Sequence, residues 1–209
     1  MAILSGPDDT PMPPQDTRRG TLCPDALAYL VFKSAGLGPG GVELAEDLRF
    51  VFWRPAPWRI RPPTFGRKII LWWLAHYLRV FRNRDYAVLL IAKGDIMVHR
   101  SCAIPACFRW GFMPPGDIQV SSTWTTPEFR GGGLATLALR ELTVLLRRPG
   151  RQFWYVTRVN NAASVAVCCK AGFQYVGTAR RTARLGMRIL GSFEMAPDTR
   201  GEEDLRRIA

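Results

Sequence analysis

From Pro127 to Thr136 the chain reads Pro-Glu-Phe-Arg-Gly-Gly-Gly-Leu-Ala-Thr, the stretch whose residue types are best suited to chemistry. Gly131, Gly132 and Gly133 let the backbone turn tightly and leave amide N–H groups uncovered. An apolar helical pattern begins at Leu134. The exposed N–H groups therefore share the direction of that helix's positive end and form a cradle for an anion, most naturally a pyrophosphate. Arg130 adds a fixed positive charge at the mouth. The loop lacks the Gly-Lys-Ser/Thr ending of nucleoside-triphosphate loops and the G-x-G-x-x-G spacing of dinucleotide loops. Against this stands a glycine-rich connection that binds nothing.

A second segment follows the next strand pattern. It reads Asn161-Ala162-Ala163-Ser164 and then Lys170-Ala171-Gly172-Phe173. Asn161 suits the cap of a short helix, accepting a backbone N–H. Gly172 suits a left-handed helix exit, and Phe173 returns the chain to the core.

Together and in this order the two segments resemble the GNAT superfamily of acyl-coenzyme-A-dependent N-acyltransferases. That family carries Gln/Arg-x-x-Gly-x-Gly/Ala at a strand-to-helix turn, here Arg130-Gly131-Gly132-Gly133-Leu134-Ala135. It then carries Asn-x-x-Ser and Lys-x-Gly-Phe, here Asn161, Ser164, Lys170, Gly172 and Phe173. The likeness covers residues 85 to 195. It implies a mixed α/β fold: a twisted, mostly antiparallel sheet of about six to seven strands flanked by helices. It also implies acetyl-CoA or another acyl-CoA as co-substrate. The amides of Gly131, Gly132, Gly133, Leu134, Ala135 and Thr136 would hold the pyrophosphate, with Arg130 beside them. Main-chain groups near Trp124 and Thr125 would pair with the pantetheine arm between two splayed strands. Asn161 and Ser164 would line the coenzyme side.

The chain departs from the family where acid and base are expected. Many members carry a Tyr four residues after the serine, and here that position is Cys168. Some use a Glu on the preceding strand, at a place that here is Val156, which cannot act as a base. The remaining candidates are His99, Asp117 and Gln119, with Cys168 as a thiol proton donor and Tyr155 or Tyr175 behind them. His99 has the intrinsic pKa a base needs, although a lone strand His is more often structural. Cys168 is equally well read as a small packed side chain. Catalysis could also rest on positioning and a water relay.

Elements that could position these residues follow along the chain. Residues 1–20 are rich in Pro, Gly and Asp and read as a flexible leader. A helix is expected from Pro24 through Ala35, and a strand over Leu48 to Trp53. Arg67 to Arg82 predicts a helix that is apolar nearly all round. The later segments predict strands at 85–92, 96–104, 117–125 and 153–159. Helices are predicted at 134–148 and 161–171, and a hairpin between Phe173 and Met195. We read one domain over residues 21–196, with an acceptor side at 21–84 and a coenzyme-binding core at 85–196. A charged tail follows at 197–209.

Composition narrows the remaining choices. With 209 residues, 47% hydrophobic, the chain can build a packed core, which excludes wholesale disorder. Five cysteines and two histidines, His76 and His99, match no zinc spacing, so no metal site is expected. An odd thiol count without a secretory pattern at the start argues for reduced cysteines and a cytoplasmic protein. The net charge of +12 favours an anionic partner.

Aromatic and basic residues mix in the first half. Trp53, Trp58, Trp72, Trp73, Tyr77 and Phe81 lie among Arg49, Arg54, Arg59, Arg61, Arg67 and Lys68. Arg180, Arg181, Arg184 and Arg188 form a second cluster on the last hairpin. A phosphate-bearing acceptor, an anionic membrane surface and an acidic carrier protein all suit such segments, as does a plain solvated face. The first expectation is acyl transfer to a small-molecule primary amine, such as an amino-sugar nucleotide. The alternatives are acylation of a protein or peptide amine, a long-chain donor held by a carrier protein, and a silent acyl-CoA-binding module. Nucleic acid fits poorly because the cations are dispersed and no recognised motif occurs. A homodimer is compatible with the sequence.

Overall fold

In a computed structural model of the protein, residues 28–36, 43–62, 69–182 and 191–196 are described. The expected leader and tail, Cys23, Arg67, Lys68, Arg184 and Arg188 lie outside them. The described residues form one eight-stranded sheet with three α-helices. The strands are β1 (Ala28–Ser34), β2 (Leu48–Trp53), β3 (Ala87–Lys93), β4 (Ile96–Pro105), β5 (Ile118–Thr125), β6 (Phe153–Arg158), β7 (Gln174–Arg181) and β8 (Phe193–Ala196). The helices are α1 (Ile69–Tyr77), α2 (Leu134–Leu145) and α3 (Ala162–Lys170). The sheet order is β2-β3-β4-β5-β6-β1-β7-β8, and only β5 and β6 run parallel.

β1 corrects the sequence reading. The segment expected to be helical is a strand, paired antiparallel to β6 on one side and β7 on the other. Tyr29, Leu30, Val31 and Phe32 are all buried. A short apolar run cannot be assigned to helix or strand by periodicity alone, and burial on both faces removes the alternation that marks a half-exposed strand. This strand brings the sheet to eight rather than six or seven. It also places the first half in the same sheet as β3 to β8.

The sheet has a core on each face. On one, α2 buries Leu134, Ala138, Leu139 and Leu142, and α3 buries Val165 and Cys168, against Leu30, Phe32, Leu89 and Ile91. On the other, Ile69 of α1 joins Phe81, Tyr86, Val88, Leu90 and Trp154. Residues Val88 and Leu90 thus alternate with Leu89 and Ile91 across the pleat of β3. α1 ends at Tyr77, earlier than the expected Arg82. Arg79 adopts a left-handed conformation (φ 57°) just after it, which a helix cannot continue through. Cys102, Cys107 and Cys168 are buried free thiols, and Cys169 is exposed. Among the described residues, no helix is long and apolar enough to cross a membrane, and no cluster of His, Cys, Asp or Glu is arranged to hold a metal ion.

Candidate active site

The parallel ladder between β5 and β6 is short. It runs from Ile118↔Phe153 to Val120↔Tyr155 and stops there, while β5 continues to Thr125 and β6 to Arg158. A bulge drives the parting. The β4–β5 register shifts between Arg100 and Cys102, and Ser122 adopts a left-handed φ of 52°. A bulge bends its strand and breaks the ladder locally.

The opening holds a cleft of about 430 Å³. Trp124 and Thr125 line it from β5, Arg130, Gly131 and Gly133 from the loop, Leu134, Ala135 and Thr136 from α2, and Asn161 and Ser164 from α3. Ten of the eleven residues expected to hold the coenzyme therefore share one cleft; Gly132 sits in the loop without lining it.

Local sequence explains the cradle. Gly131 (φ 84°) and Gly133 (φ 76°) are left-handed, and a Cβ on either would meet nothing within 4 Å. Gly133 is the N-cap of α2, has no side chain to cap the helix, and no acidic residue occupies the first turn. The first-turn N–H groups therefore lack a side-chain acceptor. Arg130 donates from Nε to the Thr125 carbonyl at 3.1 Å, which fixes it at the mouth. Lys170 also lines the cleft. The sequence assigns it no role, because only the packing of α3 beside α2 brings the last residue of α3 to the cleft. Asn161 caps α3 by accepting the Ser164 N–H at 3.1 Å. Gly172 is left-handed (φ 86°), and Phe173 is buried with its ring edge-on to Tyr155.

The four candidate acid–base residues do not line the cleft. Burial pushes His99 down to about 4, and both ring nitrogens are engaged. Nδ1 lies 2.7 Å from Thr125 Oγ1 and Nε2 2.9 Å from Ser101 Oγ. A neutral imidazole with such a low pKa is a weak base at neutral pH. Asp117 accepts hydrogen bonds from Gln152 N at 3.0 Å and Trp154 Nε1 at 2.7 Å, a structural role. Gln119 is buried, donates to the Val120 carbonyl, and leaves its Oε1 without a partner. Burial raises the Cys168 thiol well above its ordinary value, so it is a packed, neutral side chain.

A different polar chain reaches the cleft. Thr125 and Thr123 line it, and beneath them Thr125–His99–Ser101–Thr123 are joined by successive side-chain hydrogen bonds. Tyr155 lines the cleft together with Thr123 and Ser164, and burial raises its pKa while those two neighbours oppose the rise. The sequence marked it only as a minor candidate, because nothing in the pattern of β6 shows which face meets the opening.

No family model and no curated protein matches the chain. Solved structures do. A GCN5-related N-acetyltransferase from Sphaerobacter thermophilus superposes with a TM-score of 0.50 at 15% identity, over 74% of this chain and 50% of that one. A Drosophila protein solved by structural genomics superposes with a TM-score of 0.50 at 13% identity, over 73% of this chain and 48% of that one. The chain spans about half the length of these two proteins. With the parted parallel strands and the loop before α2, the likeness gives the conclusion: this chain has the fold of the GNAT acetyltransferases.

Proposed function

We propose that the protein moves an acetyl or short acyl group from acyl-coenzyme A to a primary amine of a small molecule. The observation that carries this reading is the uncapped N-terminus of α2, opening with Arg130 and Lys170 into the cleft where β5 and β6 part. The donor set suits a pyrophosphate: unpaired backbone N–H groups, a helix dipole and two cations, with no carboxylate among the cleft residues. The volume lies within the ~300–1,000 Å³ of cofactor sites.

Bound acyl-coenzyme A would supply an activated acyl carbonyl. The protein's part is to hold the two reactants and manage charge. Gly131 to Thr136 bind the anionic end. The backbone of β5 at Trp124 and Thr125, beyond the end of its pairing with β6, faces the cleft where an amide-bearing arm and a developing oxyanion would lie. An amine nitrogen attacks the acyl carbon through its lone pair, the carbon–sulfur bond breaks, and the sulfur leaves as a thiolate. Tyr155 stays protonated at neutral pH and donates a hydrogen bond to that sulfur; the proton released by the nitrogen passes to water.

Thermal-shift titration with acetyl-CoA, free coenzyme A and a long-chain acyl-CoA tests the donor. A ligand that binds only the folded state at a hundredfold excess over its Kd stabilises it by ~2.7 kcal/mol. The shift disappears in an Arg130→Glu, Gly133→Glu double variant if the cradle is the site. Thiol release with a panel of amines then tests transfer. Binding without turnover would leave a coenzyme-binding module. No shift with any coenzyme would remove the reading.

A further inference from the structure

α1 is apolar on both of its faces. Ile69 is buried, and Trp72 and Trp73 pack against the core. The opposite face carries Ile70, Leu71, Leu74 and Tyr77, continued by Leu78 in the next turn. All five are exposed, Leu71 at 63% and Leu78 at 66%. At 100° per residue they fall on one stripe pointing away from the protein.

A tight turn sits beside this helix. Arg59 N donates to the Ala56 carbonyl at 2.9 Å, and Trp73 Nε1 donates to the same carbonyl at 3.0 Å, which pins the turn to α1. Trp58 lies in that turn and is 81% exposed, the highest exposure of any large hydrophobic residue described, and Ile60 follows it at 44%. A projecting Trp beside a stripe of aliphatic side chains is more than scattered surface hydrophobicity.

The charge around the patch has one sign. From Leu48 to Arg84 the sequence has nine Lys and Arg and no Asp or Glu. Arg59, Arg61, Arg79, Arg82 and Arg84 are exposed and form no ion pair among the described residues. Asp85, the first acidic residue after the stretch, is buried and already engaged by Arg148 and Arg151. The apolar stripe is thus framed by cations on the turn before it and on the segment after it.

We propose that α1 and the Trp58 turn form a docking surface for an anionic lipid membrane. An aliphatic stripe enters the boundary between headgroups and acyl chains, while arginines at its rim keep their guanidinium groups at the phosphate level. Trp suits that boundary because its ring is apolar and its N–H stays wet. A lipid surface fits better than an acidic protein. The apolar residues project from a helix and a turn tip, which a fluid surface accommodates. The arginines are spread over both flanks, where diffuse negative charge meets them all. This surface lies on α1, whereas the coenzyme cleft lies between α2 and α3, so the inference does not depend on the proposed chemistry.

The test is co-sedimentation of the full chain with vesicles of phosphatidylcholine alone or mixed with phosphatidylglycerol, at low and high salt. Binding is expected to the mixed vesicles and to fall with salt. A Leu71→Ser, Leu74→Ser, Leu78→Ser variant should bind at least about tenfold more weakly. An Arg59→Glu, Arg61→Glu, Arg79→Glu variant should show a loss of at least about tenfold as well. All six positions are exposed, so near-UV circular dichroism should match the parent. Trp58→Phe should remove part of the vesicle-induced blue shift in fluorescence, an independent readout should a triple variant misfold. Failure to bind mixed vesicles at low salt overturns the proposal. Equal binding to neutral vesicles, or binding unchanged in both triple variants, also overturns it. So does a salt-sensitive complex with an acidic carrier protein that mixed vesicles do not compete away.

Discussion

The Asp117 carboxylate accepts a 2.7 Å hydrogen bond from the Trp154 indole N–H, and with the Gln152 N–H it ties the start of β5 to the start of β6. The two strands are joined only near that end, at Ile118–Val120 against Phe153–Tyr155. Asp117 therefore works as a clasp for the closed end of a pair whose other end must stay open. Asp117→Ala removes both bonds and leaves a buried indole N–H unpaired. Hydrogen bonds to charged groups contribute about 1.5–3 kcal/mol each, so a stability loss of about 3 kcal/mol is expected in urea unfolding. The pH profile of turnover in the folded variant should keep its shape. A moved inflection would return Asp117 to an acid–base role.

His99 makes stability depend on pH. Burial, aided by the nearby Arg100 charge, lowers it from 6.5 to about 4. The unfolded chain then binds a proton below pH 6.5 that the folded chain refuses until about 4. The contribution is fully present above pH 6.5 and is lost as pH falls through that window, by about 3 kcal/mol in all. His99→Leu should be less stable at neutral pH, because Thr125 and Ser101 lose a partner. Its unfolding free energy should nevertheless fall less steeply between pH 6.5 and 4. Part of the slope should remain through His76, which burial also lowers. Parallel profiles for parent and variant would show that His99 titrates normally.

The site was more legible in the sequence than the sheet around it. In the loop at Gly131–Thr136 the candidate donors are backbone amides, and glycines at a strand-to-helix turn announce exposed amides directly. Asn161 and Gly172 were equally readable, because cap and exit are local events one residue type favours. β1 was not readable. Its apolar run fits a helix locally, and only pairing with β6 and β7, about 120 residues or more away in sequence, makes it a strand. The acid–base residues failed for a related reason. His99, Asp117, Gln119 and Cys168 suit proton transfer by chemical type alone, and burial, a tertiary property, decides which titratable groups reach the cleft. Tyr155 gains its standing from the cleft it lines with Thr123 of another strand and Ser164 of a helix.

Gly133→Ala probes the cradle without a clash. A Cβ there meets nothing within 4 Å, so only the left-handed backbone is strained. That strain costs roughly 1 kcal/mol in stability. Relieving it requires the loop to turn its amides, and coenzyme affinity should fall by at least about tenfold, or 1.4 kcal/mol. Gly116→Ala is the control, since its surroundings are as open and its φ is not left-handed. It should leave stability and coenzyme affinity unchanged. Equal coenzyme affinity in Gly133→Ala and parent would detach the loop from binding.

Tyr155→Phe separates positioning from chemistry. The ring stays packed against Phe173 while the hydroxyl is lost. In the proposed reaction the hydrogen bond to the departing thiolate is lost with that hydroxyl, an interaction stronger in the transition state than in the ground state. The expectation is a lower kcat with little change in KM for the acyl donor, and general acid catalysis sets the scale at about 10²-fold. A donor with a more acidic thiol should narrow the deficit, because its sulfur leaves without help. If KM rises instead and kcat holds, Tyr155 shapes the cleft and the sulfur takes its proton from water.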